Sequence, residues 1–353
     1  MDVFESLTGE YEQIVFGHDP ETGLRTIIAV HSTALGPALG GTRFYPFPSE
    51  GAALRDVLRL AKGMAYKNAA AGLDLGGGKA VIIGDARTDK TPDLLRAYGR
   101  VVNRLGGAYV TTADMGTNSA DMVFIAETTP HVTGTPDASG DPSPNTAYGV
   151  WSGMRAVAER LWDEPSMKGR RVAVQGVGKV GGALARLLAD EGAIVAVADI
   201  DAKAAGKLAA EIGADAIDAG VVLEAECDVL APCAMGAIVN DATIPRFRCR
   251  AIAGAANNQL ERPEHGEALR AAAILYAPDY VINAGGVISV ASEIMGFDHE
   301  EARGRAAKIA ATLHTVFDEA AASGVSPAQT ADALAERRIL AVKRTFDGPG
   351  GSQ

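Results

Sequence analysis

A chain of 353 residues, 47% hydrophobic and 22% charged, is long enough for two domains with separate cores and too apolar to stay disordered. Its formal net charge of -11 argues against a nucleic-acid-binding surface, which needs a basic face. Three cysteines (Cys227, Cys233 and Cys249) and six scattered histidines match neither a disulfide framework nor a zinc-ligand spacing, so no metal is expected.

The opening MDVFESLTGE has no basic segment followed by an apolar one, and no uncharged run approaches the ~18 residues of a membrane span. A cytoplasmic protein that binds neither membrane nor nucleic acid is expected. The segments EQIVFGH and LRTIIAVH flank the turn-rich DPETG and predict a hairpin. Residues 52–70 place Leu54, Val57, Leu58, Ala61, Met64 and Ala65 along one face, which predicts a helix. AVII, after Lys79, is short and β-branched and reads as a strand. PDLLRAYGRVVNRLGG has proline at its start and glycine at its end, as helices do, and leads into the strand AYVTT.

The glycine- and proline-rich TGTPDASGDPSP then marks a domain boundary, separating 1–140 from 141–324. Beyond it lies a helix, NTAYGVWSGMRAVAERLW. The apolar strands RVAVQ, IVAVADI, CDVLAP, AIAG and ILYAP follow, separated by helical stretches, and predict a parallel sheet. Residues 301–321 and 327–345 read as helices, and GPGGSQ as a frayed tail. The fold class expected is α/β, with an N-terminal α/β domain and a Rossmann domain separated by a cleft.

Two glycine clusters stand out. Gly176-Val177-Gly178-Lys179-Val180-Gly181 follows the strand RVAVQ and opens a helix, the setting in which G-x-G-x-x-G binds a dinucleotide. Gly176 allows the tight turn, Gly178 lets a pyrophosphate approach, and Gly181 packs helix on strand, with Val180 inside the turn. The helix N-terminus adds free N–H groups and a partial positive charge. Asp199, about twenty residues on, can accept from ribose hydroxyls and repels a 2′-phosphate, which favours NAD over NADP. Asp201 is a second candidate for that place.

The other cluster is GLDLGGGK, residues 72–79. It lacks the four-residue gap of a Walker loop, and Ala80 rather than Ser or Thr follows Lys79. Lys67, one turn after Met64, points to the same end of the structure. Two neighbouring ammonium groups raise the cost of charging both, so one lysine should titrate low and act as a base. The other can hold a substrate carboxylate. Asp114 closes the strand AYVTTAD, where catalytic groups often sit. Singly, each residue could be a surface charge or cap. Together they suggest a proton-transfer site.

The segments LGPALGGTRF, GMAYKNAAAGLDLGGGKAVIIGD, TTADMGTNSADM, GDPSPNTAYGV, APCAMG, AGAANNQL and ILYAPDYVINAGGV resemble the Glu/Leu/Phe/Val family of amino acid dehydrogenases over nearly the whole chain. The resemblance implies NAD-dependent, reversible oxidative deamination of an L-amino acid to a 2-oxo acid and ammonium, by a homo-oligomer whose helix 325–353 returns to the first domain. It implies that Lys67 binds the substrate α-carboxylate, with Gly40 and Gly41 leaving room for it. Lys79 would activate the attacking water, and Asp114 would shuttle protons at the amine nitrogen. Thr146 would hold the nicotinamide carboxamide, Asn257 would touch substrate or nicotinamide, and Pro232, Cys233 and Ala234 would line the cofactor.

The side-chain pocket implied by the resemblance is Leu39, Met64, Thr112, Val287 and Val290. Relatives that use glutamate carry lysine and serine where this chain has Leu39 and Val290, so a charged side chain would be buried unpaired. The valines and Thr112 make a narrow apolar slot suited to valine, isoleucine or leucine, although branched-chain members usually have alanine at the place of Thr112. A single methylene alters selectivity by only about 1–3 kcal/mol, so broad branched-chain use, valine foremost, is expected. Three alternatives stand: a phenylalanine dehydrogenase, a catalytically silent NAD-binding regulator on the same fold, and a hydroxy-acid oxidoreductase with a lysine base.

Overall fold

The short β-branched runs and amphipathic stretches become two sheets with helices packed on them in a computed structural model, which describes residues 11–136 and 140–346. MDVFESLTGE, GPGGSQ and part of TGTPDASGDPSP lie outside the described residues. The chain divides into unit 1 (Met1–Gly140, Val290–Gly296, Ala335–Gln353) and unit 2 (Asp141–Ser289, Phe297–Leu334).

Unit 1 is built on β1 (Gln13–Asp19), β2 (Leu24–Ser32), β3 (Ala38–Tyr45), β4 (Gly76–Ile83) and β5 (Tyr109–Ala113), in the order β1-β2-β4-β3-β5. β1 and β2 form the predicted antiparallel hairpin. β3 runs parallel to both its neighbours, β4 and β5. Sequence patterning gives no strand for β3, because the paired glycines of ALGGTRFY weaken it locally. Pairing on both edges overrides that. β4 begins at Gly76 rather than after Lys79, so all three glycines of GGGK are strand residues.

Helix α1 (Glu50–Ala70) starts at Ser49, whose side chain accepts from Ala52 N. It lays Leu54, Val57, Leu58 and Ala61 on Ile27, Ala29 and Val81 of one sheet face. On the other face, α2 (Pro92–Asn103) packs Leu94, Leu95, Tyr98 and Val102 with Ile28, Phe44, Ala80 and Ile82. β4 is therefore buried on both sides, a place with no water to satisfy a charged side chain. A short helix missed by patterning, α3 (Ser119–Ala126), follows β5 and is held by a capping box between Asn118 and Asp121.

Unit 2 carries a fully parallel sheet of β6 (Arg171–Gln175), β7 (Ile194–Ala198), β8 (Asp215–Ala216), β9 (Val229–Pro232), β10 (Ala251–Ile252) and β11 (Leu275–Tyr276). Its order, β11-β10-β9-β6-β7-β8, is the doubly wound dinucleotide-binding arrangement. The glycine loop follows β6, at the point where the strand order reverses.

The helices after the boundary are α4 (Ser143–Trp162), α5 (Lys179–Glu191), α6 (Ala202–Ile212), α7 (Glu264–Ala271), α8 (Asp279–Ile282) and α9 (Gly285–Met295). Three more follow: α10 (His299–Ala307), α11 (Ile309–Ser323) and α12 (Pro327–Phe346). The stretch read as one helix over 301–321 is two, broken at Lys308. Within unit 1, Arg338 of α12 donates to Ala69 O (2.9 Å) and Leu73 O (2.8 Å) and pairs with Asp74 (2.9 Å). No helix among the described residues is long and apolar enough to cross a membrane.

Candidate active site and dinucleotide loop

Parallel pairing sets β3 between β4 and β5, with Leu39 opposite Gly77 and Gly41 opposite Thr112. From this register, Lys79 of β4 and Asp114 beyond the end of β5 meet. Lys79 is only 6% exposed, and its Nζ lies 3.0 Å from Asp114 Oδ2. A third charge joins them: Arg43 of β3 donates from Nε to the same Oδ2 at 3.2 Å and from Nη1 to Asp56 of α1 at 2.8 Å.

Burial is the largest influence on Lys79 and lowers its pKa from the ordinary lysine value, outweighing the upward pull of Asp114. The cation that pushes the same way is the Arg43 guanidinium. Against the expectation that a neighbouring ammonium is the first cause, desolvation is the largest one, and the guanidinium of Arg43 assists it. For Asp114, burial alone would raise the carboxyl. The charges of Lys79 and Arg43 more than offset this and hold it below the ordinary carboxylate range.

The glycines around this site are packing residues. A Cβ on Gly40 would lie 1.8 Å from Gly78 O, and one on Gly41 2.7 Å from Ala113 O. On Gly76 it would meet Ser32 O at 2.0 Å, and on Gly77 the backbone of Ala65 at 2.0 Å. The space that glycine leaves is thus filled by neighbouring backbone, which lets α1 lie directly on β4. Tyr109 locks the arrangement from below, donating from its hydroxyl to Gly40 O at 2.6 Å with its ring against Gly78.

The other residues expected at the substrate are placed as follows. Lys67 stands half-buried in the last turn of α1, where a cation is favoured by the helix dipole. Met64, on the same helix, is half-buried, and its Cγ would lie 3.4 Å from a Cβ on Gly40. Leu39 is fully buried. Thr112 Oγ1 sits 2.8 Å from where a Cβ on Gly134 would stand, and Gly134 N donates to Glu293 at 2.9 Å. Glu293 is one turn after Val290 on α9, and both belong to unit 1. Val287 is a buried residue of unit 2.

In unit 2, Gly176 adopts φ +93°, a left-handed conformation that favours glycine. A Cβ on Gly181 would lie 1.9 Å from Gly176 O, so the loop closes on itself. Gly178 has nothing within 4 Å of a Cβ: its side faces open space. Val180 follows in the first turn of α5, half-buried. Asp199 accepts from Val177 N (2.8 Å) and Asp201 N (2.9 Å), tying the loop to the end of β7. Asp201 is occupied as the cap of α6, accepting from Lys203 N and Ala204 N. Of the two carboxylates, Asp199 is therefore the one at the loop, with lone pairs left for a ribose hydroxyl.

The turn after β9 packs against this loop. Cys233 N donates to Gln175 O at 2.7 Å, following the strand-end Pro232, and Cβ atoms on Gly176 and Gly181 would meet Ala234 and Cys233. Burial raises the Cys233 thiol to about 11, so it packs as a neutral group. Thr146, in the first turn of α4, donates to Pro142 O at 2.9 Å. Asn257 is exposed and accepts at Oδ1 from Asn283 Nδ2 at 2.9 Å. The open Gly178, the left-handed Gly176 and the acceptor Asp199 fit NAD. Among the described residues no cluster of His, Cys, Asp or Glu could hold a metal.

Sequence patterning missed Arg43, Asp56, Tyr109, Glu293 and Asn283. Only Arg43 carries a local signal, a charge two residues beyond Gly41 on one strand and hence on the same face.

A doubly wound dinucleotide unit, joined in one chain to an α/β unit with a buried lysine–aspartate pair, defines a nucleotide-dependent dehydrogenase. Residues 11–131 match the family model described as Glu/Leu/Phe/Val dehydrogenase, dimerisation domain. Residues 139–215 and 197–347 match that described as Glutamate/Leucine/Phenylalanine/Valine dehydrogenase. The chain is 49% identical to a leucine dehydrogenase of Geobacillus stearothermophilus, covering 98% of this chain and 95% of the relative. It is 48% identical to a valine dehydrogenase of Streptomyces virginiae, covering 96% of each. The crystal structure of L-tryptophan dehydrogenase from Nostoc punctiforme superposes with a TM-score of 0.87 at 42% identity, covering 97% of this chain and 99% of that one. The chain belongs to the Glu/Leu/Phe/Val dehydrogenase family and is an amino acid dehydrogenase.

Proposed function

We propose that the protein catalyses the NAD-dependent, reversible oxidative deamination of branched-chain L-amino acids, valine preferred. Amino acid, NAD+ and water give the 2-oxo acid, ammonium, NADH and a proton. The observation that carries this reading is the buried Lys79–Asp114 pair at 3.0 Å. When bound, NAD supplies the acceptor for the hydride that leaves the substrate α-carbon. The protein's own residues bind, orient and move protons.

Lys67 pairs with the substrate α-carboxylate. Lys79, whose neutral form burial favours, takes a proton from the water that attacks the imino carbon. Asp114, kept anionic by Arg43 and, whenever it is protonated, by Lys79, receives protons from the amine nitrogen and returns them. Asp199 accepts from the ribose and disfavours NADP, and Thr146 and Asn257 hold the nicotinamide end.

Branched-chain specificity rests on apolar chemistry. Leu39 is fully buried, so a substrate carboxylate against it would lose its water without gaining a partner. Thr112, bulkier than the alanine usual in branched-chain relatives, narrows the slot toward valine. Leucine as the preferred substrate is the second reading, because the leucine relative, at 49% identity, is as near to this chain as the valine relative, at 48%, to within one percentage point. Support for a homo-oligomer comes from the dimerisation domain named for residues 11–131. A cytoplasmic location suits both free amino acids and NAD.

Initial rates on valine, leucine, isoleucine and phenylalanine, with NAD and NADP compared, test the specificity. Faster turnover of phenylalanine than of valine would overturn it. For the roles, Lys79→Ala should lower kcat by about a thousandfold or more while the amino acid still binds. Lys67→Ala should chiefly raise KM. Near-normal turnover in Lys79→Ala would remove the lysine base.

A further inference from the structure

Lys79 and Asp114 do not stand alone. They end a chain of alternating charges, Arg59–Asp56–Arg43–Asp114–Lys79, that runs from α1 across β3 to β4 and β5. Its inner members are largely buried, at 17% exposure for Arg43, 18% for Asp56 and 26% for Asp114. Only Arg59 is mostly in solvent, at 58%. Arg43 Nε and Lys79 Nζ converge on one oxygen, Asp114 Oδ2, at 3.2 and 3.0 Å. The two cations therefore share one carboxylate oxygen.

We propose that Arg43 and Asp56 are an opposed pair that tunes the protonation of Lys79 through Asp114, with Arg43 as a positioning residue of the reaction. The inference rests on Lys79 being the base of the deamination proposed above. Arg43 draws on Asp114 and repels the Lys79 ammonium, so it favours the neutral amine. Asp56 restrains Arg43 by taking its Nη1 at 2.8 Å, and its own charge favours the protonated lysine. Charged groups acting on Lys79 are Arg43 from β3, Asp56 from α1 and Asp114 from the end of β5, with Arg59 behind Asp56; Lys67, also on α1, is the same in every variant compared. The same directions hold electrostatically: Arg43 lowers and Asp56 raises the pKa of Lys79.

Opposite signs make the idea testable, because a merely structural ion network would not yield them. Removing Arg43's charge leaves Asp114 to Lys79 alone and raises the lysine's pKa. Removing Asp56's charge frees Arg43 for Asp114 and lowers it. The measurement is competitive labelling of the full-length protein with trace acetic anhydride across pH, reading the Lys79 peptide by mass spectrometry. The pH profile of kcat/KM for valine deamination is measured in parallel. R43Q should move the midpoint of Lys79 reactivity, and the acidic limb of the rate profile, up by about one pH unit, a tenfold loss of neutral amine at fixed pH. D56N should move both down by a few tenths of a unit, and R43K should lie between wild type and R43Q.

Midpoints that stay put, or shift the same way in R43Q and D56N, would overturn the proposal. If R43Q does not fold, by circular dichroism, R43K and D56N carry the same opposed prediction. A wild type that turns over no aliphatic amino acid would instead sink the deamination reading. The labelling profile would still decide whether Arg43 and Asp56 tune the lysine.

Discussion

Two glycine-rich stretches, alike on paper, do opposite things. In GGGK, residues 76–79, each glycine is walled in: Gly76 by Ser32 O, Gly77 by Ala65 backbone and Gly78 by the Tyr109 ring. In GVGKVG the middle glycine, Gly178, faces open space. The first cluster uses the missing side chain to bring a helix onto a strand and seal a lysine in. The second leaves that side of the loop open, as the proposed contact of its backbone N–H groups with a pyrophosphate requires. A glycine is thus informative only together with what would occupy its Cβ.

The sharpest way to break this contrast is Gly77→Ala. The new methyl would stand 2.0 Å from Ala65 N and 2.2 Å from its Cα, and backbone in a packed helix cannot swing aside as a long side chain can. Helix α1, with Asp56, Met64 and Lys67, would have to lift from β4. We expect a loss of about 3 kcal/mol or more, read as a fall in thermal midpoint or as insoluble protein. Wild-type melting and activity in Gly77→Ala would mean that α1 and β4 are not in direct backbone contact.

Gly178→Ala should do the reverse. At φ -63° and ψ -167° the backbone suits any L-residue, and no neighbour is within 4 Å, so folding should be unaffected. The methyl would instead stand where a pyrophosphate must approach, weakening NADH binding by roughly tenfold, or ~1.4 kcal/mol. Fluorescence titration with NADH, beside a melting curve, separates the two effects. A destabilised Gly178→Ala with unchanged NADH affinity would erase the distinction between the clusters.

What could be read from the sequence follows the same line. The dinucleotide loop was legible because its context is local: a strand, three glycines and a helix lie within about twenty residues, and the carboxylate follows on the next strand. The hairpin, α1 and α2 were legible for the same reason, since periodicity and end signals are local. The role of GGGK was not, because Ser32, Ala65 and Tyr109, which fill the space beside it, come from three other elements. β3 was hidden by its glycines until β4 and β5 paired with it, and Asp56 looked like an ordinary polar residue on the helix. That one of two lysines titrates low is legible; that burial is the chief cause, and acts on Lys79, is not. Its burial depends on two helices covering both faces of β4, which no stretch near Lys79 encodes.

The smallest effect tests how the open loop is held. Asp199 does two things at once: its Oδ2 accepts from Val177 N at 2.8 Å, which orders the loop, and its charge opposes a 2′-phosphate. Asp199→Asn removes the charge and keeps one acceptor, which can still serve Val177 N while the bond from Asp201 N is given up. Because the group is half-exposed, the charge term is screened and should be worth only about 1 kcal/mol. The expected result is a fivefold to tenfold rise in relative use of NADP (~1 kcal/mol), with NAD affinity changed by less than about threefold. A large loss of NAD binding in Asp199→Asn would show that the ribose needs the charge itself. An unchanged NADP ratio would move cofactor choice to another residue, and the exposed Ile200 beside it would be the next to vary. Either outcome would tell how much of the loop's openness is set by glycine and how much by the carboxylate that holds it.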